Sequence, residues 1–552
     1  MKNKKQKLAA ALGMNILAML LLVLIMRPSF ETNDDIVFAE LGSGLRGVKD
    51  AHLVFQNYLL GIVYRILYQI TGRLPWYTIV QYVVLLAAFS AVTYVLINRL
   101  EGNSGLYLSV LLLCVFGYES YIHIQFTKTA GIAAAAAVFL LFHVIASEDF
   151  CIWEFFAGIL LGFLGFMYRE DQFFASSALM AGIGVYFLLT LKKRFPENTG
   201  KRLGICVGSF GILLLAVFAA DRADAFMYRS PRWQAYQEFN HMRSRLLDYG
   251  FPDYTTNQEL YRKLGISEEA LQLYKTWNFN DPEKFSAEVM EKLVEQKPER
   301  NISGSQFLRF IKRFPGDAGK LPAAYLAVLF FVLWLIFGKK KAAGISAFLA
   351  EILILTGIYF YLYFQGRYMV NRVDVGLWFS VCLTMLWILG ESLGEKTEIS
   401  KYGGLLCITG ILISQSFWYT DYRTATAEIP KARVSQRAVL ETIGTDKEHV
   451  YLAKSGTVSE IVCYGPFDRM PENLLDNLYW LGGWECRMPG FVKEMEEHGI
   501  ENPYRDIIKN NKIYLIDDNI DLTVEYIRQN YDENAEAVFI RTLGNVNLYQ
   551  IQ

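Results

Sequence analysis

Charge is scarce in this chain and almost cancels. Asp, Glu, Lys and Arg are 20% of 552 residues, and the net charge is −1. No basic stripe runs along any segment, which excludes a nucleic-acid partner, since phosphate binding needs one. The seven cysteines include no Cys-x-x-Cys pair and no Cys/His cluster. That removes structural zinc and leaves no metal site legible from spacing. Cys463 and Cys486 share the C-terminal part and could pair in an oxidising compartment. There is no Walker A loop, no Gly-rich dinucleotide fingerprint and no Gly-x-Ser-x-Gly elbow. Internal repeats and low-complexity tracts are missing as well.

What the chain has in quantity is apolar length: 53% of its residues are hydrophobic and 15% aromatic. About 18 consecutive apolar residues suffice to cross a bilayer. Eleven segments qualify as candidate spans: 8–26, 76–97, 106–121, 128–147, 153–168, 172–191, 202–220, 321–337, 342–364, 374–390 and 403–419. Those at 106–121, 153–168 and 172–191 are the weakest, being short or flanked by tight turns. No small-x-small cleavage site precedes Arg27-Pro28, so the first segment reads as a retained helix, not a signal peptide. Lys2, Lys4, Lys5 and Lys7 precede it. Alternation then puts Lys192-Lys193-Arg194, Lys201-Arg202, Lys339-Lys340-Lys341, Lys396 and Lys401 on the same side. Basic loops mark the cytoplasmic face. The expectation is a multi-pass cell-membrane protein, mainly α, with its N-terminus in the cytoplasm and its C-terminus outside.

Three larger pieces then fall on the outer side of the membrane, two of them within a membrane domain spanning 1–419. The first outer loop, 27–75, carries an amphipathic stretch with Leu59, Val63, Ile66, Leu67 and Ile70 at helical spacing, suited to the interface. An insertion at 221–320 reads as polar and helical. Residues 420–552 read as a small α/β domain with strands at His449–Ala453, Lys512–Ile516, Ala537–Leu543 and Val546–Ile551, the last two joined through Gly544-Asn545.

Candidate chemistry gathers in the outer loops. Asp34 and Asp35 emerge just beyond the first span. Two neighbouring carboxylates in a partly desolvated place cannot both ionise cheaply, so one becomes a general base. The plainer reading is that Thr32, Asn33 or Asp34 caps the helix that follows. The next outer turn offers Glu119, His123 and Lys128, either lining a polar cavity or lying at headgroup level. Tyr168-Arg169-Glu170-Asp171 is either a self-satisfied surface cluster or a guanidinium for a phosphate beside carboxylates for a sugar. Arg367 and Arg372, in the outer loop 365–374, suit a phosphate at the headgroup plane or anchor two helix ends. His52 and Asn57 are polar residues in an apolar stretch of the first loop.

The Asp34-Asp35 pair after the first helix, the amphipathic 55–70 segment and the C-terminal outer domain together resemble the GT-C superfamily of integral-membrane glycosyltransferases. The chain also looks like membrane proteins of bacterial cell-envelope polysaccharide loci. The 221–320 insertion departs from the commonest layouts of that superfamily. The resemblance implies inverting transfer of a sugar from a polyprenyl-phosphate donor to a glycan or lipid acceptor on the outer face. Asp34 or Asp35 would be the base, and Arg367, Arg372 and Arg169 would hold the donor phosphate. His52, Asn57, Glu119, His123, Lys128, Glu170 and Asp171 would contact substrate. A divalent cation is compatible with these acids and not required by them. The competing readings are a lipid-linked-saccharide flippase or transporter, and an O-antigen-type polymerase or ligase. A transporter would carry polar residues through its spans, whereas here Glu351 is the main one.

Overall fold

The computed structural model describes residues 4–552 except 298–302, 339–340, 393–398, 428 and 509. Lys2, Lys339, Lys340 and Lys396 of the basic clusters lie outside the described residues. The first span is α1 (Lys4–Ile25), followed by a short strand β1 (Ser29–Phe30), α2 (Asn33–Ser43) and α3 (Tyr58–Ile70). Next come α4 (Trp76–Arg99) and α5 (Ser104–Gly117). A π turn at Tyr118–Ile122 and strand β2 (His123–Ile124) then lead into α6 (Phe126–Ala146). The helices α7 (Ile152–Tyr168), α8 (Glu170–Leu179), α9 (Ala181–Arg194) and α10 (Thr199–Met227) complete the first half. The insertion folds as α11 (Pro231–Leu247), α12 (Gln258–Lys263), α13 (Glu268–Lys275), α14 (Ala287–Glu295) and α15 (Gly304–Ala318). After it come α16 (Pro322–Phe337), α17 (Lys341–Phe364), α18 (Asn371–Ser392), α19 (Ile399–Ala427) and α20 (Ile429–Thr445).

All eleven expected spans are helical. Among the described residues, eight helical stretches are long and apolar enough to cross a membrane, so the protein is multi-pass. Two of the three weakest expectations are among them, 106–121 within Ser104–Ile122 and 172–191 within Glu170–Arg194. The segments at 153–168 and 403–419 are shorter apolar helices. The one at 321–337 is an arm of a pair, α15 and α16, bent by 91°.

The bundle closes around α6, which is buried along its whole length. Small residues permit this, because helices in lipid associate by close packing. A Cβ on Gly165 of α7 would lie 3.0 Å from the Ala130 carbonyl of α6, and one on Gly131 would lie 2.8 Å from Gly376 Cα of α18. As expected, α3 is amphipathic: Leu60, Tyr64 and Tyr68 are buried while Val63, Ile66 and Ile70 are exposed.

The C-terminal part forms a sheet of β3 (Val450–Ala453), β4 (Leu478–Trp480), β5 (Ile513–Ile516), β6 (Ala537–Leu543) and β7 (Val546–Ile551), ordered β4-β3-β5-β7-β6. The first three are parallel, and β6–β7 is the antiparallel hairpin turned at Gly544, whose φ is +59°. The short β4 is a strand that sequence pattern did not suggest. The insertion packs directly on this sheet: Tyr274, Phe279 and Phe285 share a core with Leu452, Tyr479 and Tyr526. Asp281 accepts from Tyr526 Oη at 2.7 Å and Tyr531 Oη at 2.6 Å. Cys463 and Cys486 are both buried and form no disulfide.

Candidate active site

Parallel pairing of Ser29 with His123 and Phe30 with Ile124 brings the start of α2 against the start of α6. That contact decides what Asp34 and Asp35 do. The Thr32 side chain makes no capping bond to α2. Its hydroxyl donates to Asp35 Oδ2 at 3.1 Å instead. Asp35 is fully buried and also accepts from Tyr77 Oη at 2.7 Å and the Phe126 amide at 3.1 Å. Burial pushes its carboxyl up to about 8; the Tyr77 bond opposes this and the Asp34 charge adds to it. Asp35 is thus a buried acid that ties α2, α4 and α6 together.

Asp34 is different. It is only half-buried, and its Oδ1 accepts a bond of 3.0 Å from Trp484 Nε1, 450 residues along the chain in the C-terminal domain. Burial raises its pKa, and Arg372, the Trp484 bond, Arg169 and Arg243 pull it back down. A carboxylate whose pKa burial raises, within the electrostatic reach of three guanidiniums and still accessible, can accept a proton beside cations able to hold a phosphate. Trp484 rests on Phe38 and Phe55, with ring centroids 5.6 and 5.0 Å away. The Arg169 guanidinium stands 5.2 Å from the same Phe55 ring.

The expected site residues separate into groups. Arg169 sits in extended backbone between α7 and α8. Burial lowers its pKa, Asp171 and Asp34 act to raise it, and Arg372 and Arg367 act against. Its pairing with Asp171 at 3.4 Å is a surface one, since the Asp171 side chain is 86% exposed. Glu170 is exposed too. Arg367 follows Gly366, whose φ of +76° ends α17, and it pairs with Asp248 at 3.7 Å over the Tyr249 ring. Arg372 opens α18 and forms no ion pair among the described residues.

Glu119, His123 and Lys128 do come together, joined by Glu31, which sequence reading passed over. The buried Lys128 ammonium pairs with Glu119, with Glu31 at 2.6 Å and with the His123 carbonyl at 3.0 Å. Asn371, next to Arg372, donates to Glu119 at 2.9 Å. Glu31, Glu119 and His123 could each offer a metal-ligand atom within 4.8 Å of the others. Lys128 already supplies the positive charge those acids need, so this set fits a divalent ion poorly.

His52 and Asn57 stand apart from this group. His52 Nδ1 lies 2.6 Å from Asp50, Nε2 lies 3.2 Å from the Met227 carbonyl, and the ring stacks on Trp233 at 4.2 Å. Asn57 caps α3, accepting from Leu59 N at 3.0 Å and donating to the Ala220 carbonyl at 3.1 Å. Both side chains are committed to packing the first loop on α10. Trp484, Tyr77 and Arg243 were missing from the sequence reading. The Trp480–Trp484 run, with two glycines between its tryptophans, was the available signal for the first.

No family model matches this sequence, and no curated protein sequence does. In fold the chain is similar to ArnT from Cupriavidus metallidurans, seen in a crystal structure bound to undecaprenyl phosphate; the two share 10% identity over 99% of this chain and 97% of that one, with a TM-score of 0.42.

Proposed function

We propose that this protein is an inverting membrane glycosyltransferase that takes its sugar from a polyprenyl-phosphate carrier, with Asp34 as its base. One observation carries the reading: a half-buried carboxylate, fixed by Trp484, with Arg169 and Arg372 beside it and a protonatable partner, Asp35, behind it. In the reaction, Asp34 takes the proton of an acceptor hydroxyl as that oxygen attacks the anomeric carbon. The bond from that carbon to the phosphate oxygen breaks, and the carrier phosphate leaves with the electron pair. Charge grows on that phosphate in the transition state, so Arg372 and Arg169 stabilise it more than the ground state. No nucleophile from the protein is needed. The acceptor is a glycan or lipid of the cell envelope.

The sidedness rests on the basic residues. Lys4, Lys5, Lys7, Lys192, Lys193 and Arg194 flank helix ends opposite the one that leads into Asp34, and by the positive-inside rule this supports a site on the outer face. The test is sugar transfer to a membrane acceptor by Asp34→Asn and Arg372→Gln variants. Loss of transfer by Asp34→Asn, with normal expression and an unchanged elution profile, supports the assignment. Full activity of that variant ends it.

A further inference from the structure

A second charged recess lies at the end of the first span, outside the group around Asp34. It is a cavity of about 490 Å³ between the last turn of α1, with Arg27 and Pro28, and the Gly465–Asp468 turn and Arg433 of the C-terminal part. Leu24 and Ile25 are 80% and 68% exposed on its membrane side. The turn is pinned to α4 by Thr78, whose hydroxyl donates to the Pro466 carbonyl at 2.5 Å, and by Phe467 packing on Tyr82 at 5.3 Å.

Arg27 and Arg433 line this recess with one carboxylate, Asp468; Arg437, just beyond it, pairs more closely with Glu441 at 3.4 Å. Asp468 lies 3.6 Å from Arg433 and 4.0 Å from Arg437, while Arg27 is exposed and forms no ion pair among the described residues. Arg27 follows the last apolar residues of a span directly, which sets it at headgroup depth. Bilayer lipid must flank Leu24 and Ile25, and the surplus positive charge selects lipid of negative charge. We propose that this cleft holds one anionic phospholipid of the bilayer. Its phosphate lies between Arg27 and Arg433, its acyl chains run along Leu24 and Ile25, and it clasps the C-terminal domain to the first span. The idea is independent of sugar transfer.

The test is native mass spectrometry of the full chain released from micelles, titrated separately with phosphatidylglycerol, phosphatidylcholine and a polyprenyl phosphate. One phosphatidylglycerol is expected to persist at activation energies that strip phosphatidylcholine. Arg27→Gln should weaken its retention about fivefold and Arg27→Gln with Arg433→Gln about fivefold again, the usual worth of a basic side chain at an anionic surface. Arg27 is exposed, so its variant folds and keeps the test valid should the double variant fail. Equal retention of phosphatidylglycerol by Arg27→Gln, or equal retention of both phospholipids by the unaltered protein, overturns the proposal. So does loss of polyprenyl phosphate alone in Arg27→Gln, which would make the cleft part of a donor path.

Discussion

The two ends of the helical bundle treat their charges in opposite ways. At the end away from Asp34, Glu391 pairs with both Arg99 and Arg194. Arg99 also lies 3.5 Å over the Trp387 ring. Arg194 donates to the Ala146 carbonyl at 3.1 Å, and Arg202 donates to the Ile145 and Glu148 carbonyls, both at 3.1 Å. Arg99, Arg194 and Arg202 there each end on an acid, a ring or a helix C-terminus, where carbonyls are left over. At the other end, Arg372 and Arg169 bear on an Asp34 that is held by a neutral indole. The first arrangement locks helices together. The second leaves charge that a ligand can complete.

If this contrast holds, mutation should split into effects on rate at one end and effects on stability at the other. The largest change is expected from Asp34→Asn, a drop in transfer rate of roughly 10²–10⁴, the usual worth of a positioned base, with the melting temperature hardly moved. Glu391→Gln should do the reverse. It strands Arg99 in a buried place and should cost about 3–5 kcal/mol of stability, while the rate per folded molecule stays near that of the unaltered protein. A thermal melt in detergent and a transfer assay on the same preparation decide both. Comparable loss of rate in Glu391→Gln would erase the distinction.

Asp35 tests the contrast within a single site. Its carboxyl is held at about 8 against an ordinary 3.8. Between those values the folded protein therefore keeps a proton that the unfolded chain has lost. Its contribution to stability is fullest below the ordinary carboxylate range and is lost as pH rises through the folded value. Asp35→Asn removes that dependence, so the melting-temperature gap between the unaltered protein and the variant should narrow from about pH 5 to about pH 8. A gap that widens with pH would mean Asp35 is ionised in the fold and shares the base role.

Packing feeds the site through Gly131. Its missing Cβ lets α6 touch Gly376 of α18, with Gln172 at 2.9 Å from where that Cβ would lie. Gly131→Ala would push α18 outward and carry Arg372 from Asp34. A displacement of about 1 Å is worth up to 10²-fold in rate, and the effect should fall mainly on kcat, since the phosphate contact strengthens in the transition state.

Much of the frame was legible from sequence because hydrophobic length and basic flanks are one-dimensional signals. The eleven helical segments, the amphipathic α3 and the β6–β7 hairpin all follow from periodicity or turn residues. The acid pair could be found because it directly follows a span. Its division of labour could not, since burial of Asp35 depends on Tyr77 and Phe126 from two other helices. The same holds for Glu31, which gains meaning only when β1 pairs with β2 and sets it beside Lys128. His52 and Asn57 looked available because their partners, Met227 and Ala220, are on a helix distant in sequence. β4 is three residues long, too short to show a period.

Trp484 is the sharpest probe, because among the described residues it alone links the C-terminal domain to Asp34 by a side-chain bond. Trp484→Phe keeps the apolar contacts with Phe38 and Phe55 and deletes the Nε1 donor. A hydrogen bond to a charged acceptor contributes about 1.5–3 kcal/mol. Its loss raises an Asp34 pKa that burial has already raised, so the acid limb of the pH–rate profile should move about one unit higher, each unit being 1.36 kcal/mol. On the acid limb the rate falls by up to about tenfold, and at pH above that limb, where Asp34 is ionised in both proteins, the two rates converge. A merely structural tryptophan would lower the rate equally at every pH, because losing folded molecules leaves the titration of those that remain unchanged. A uniform loss would therefore detach the C-terminal domain from the chemistry and leave Asp34 to the helices alone.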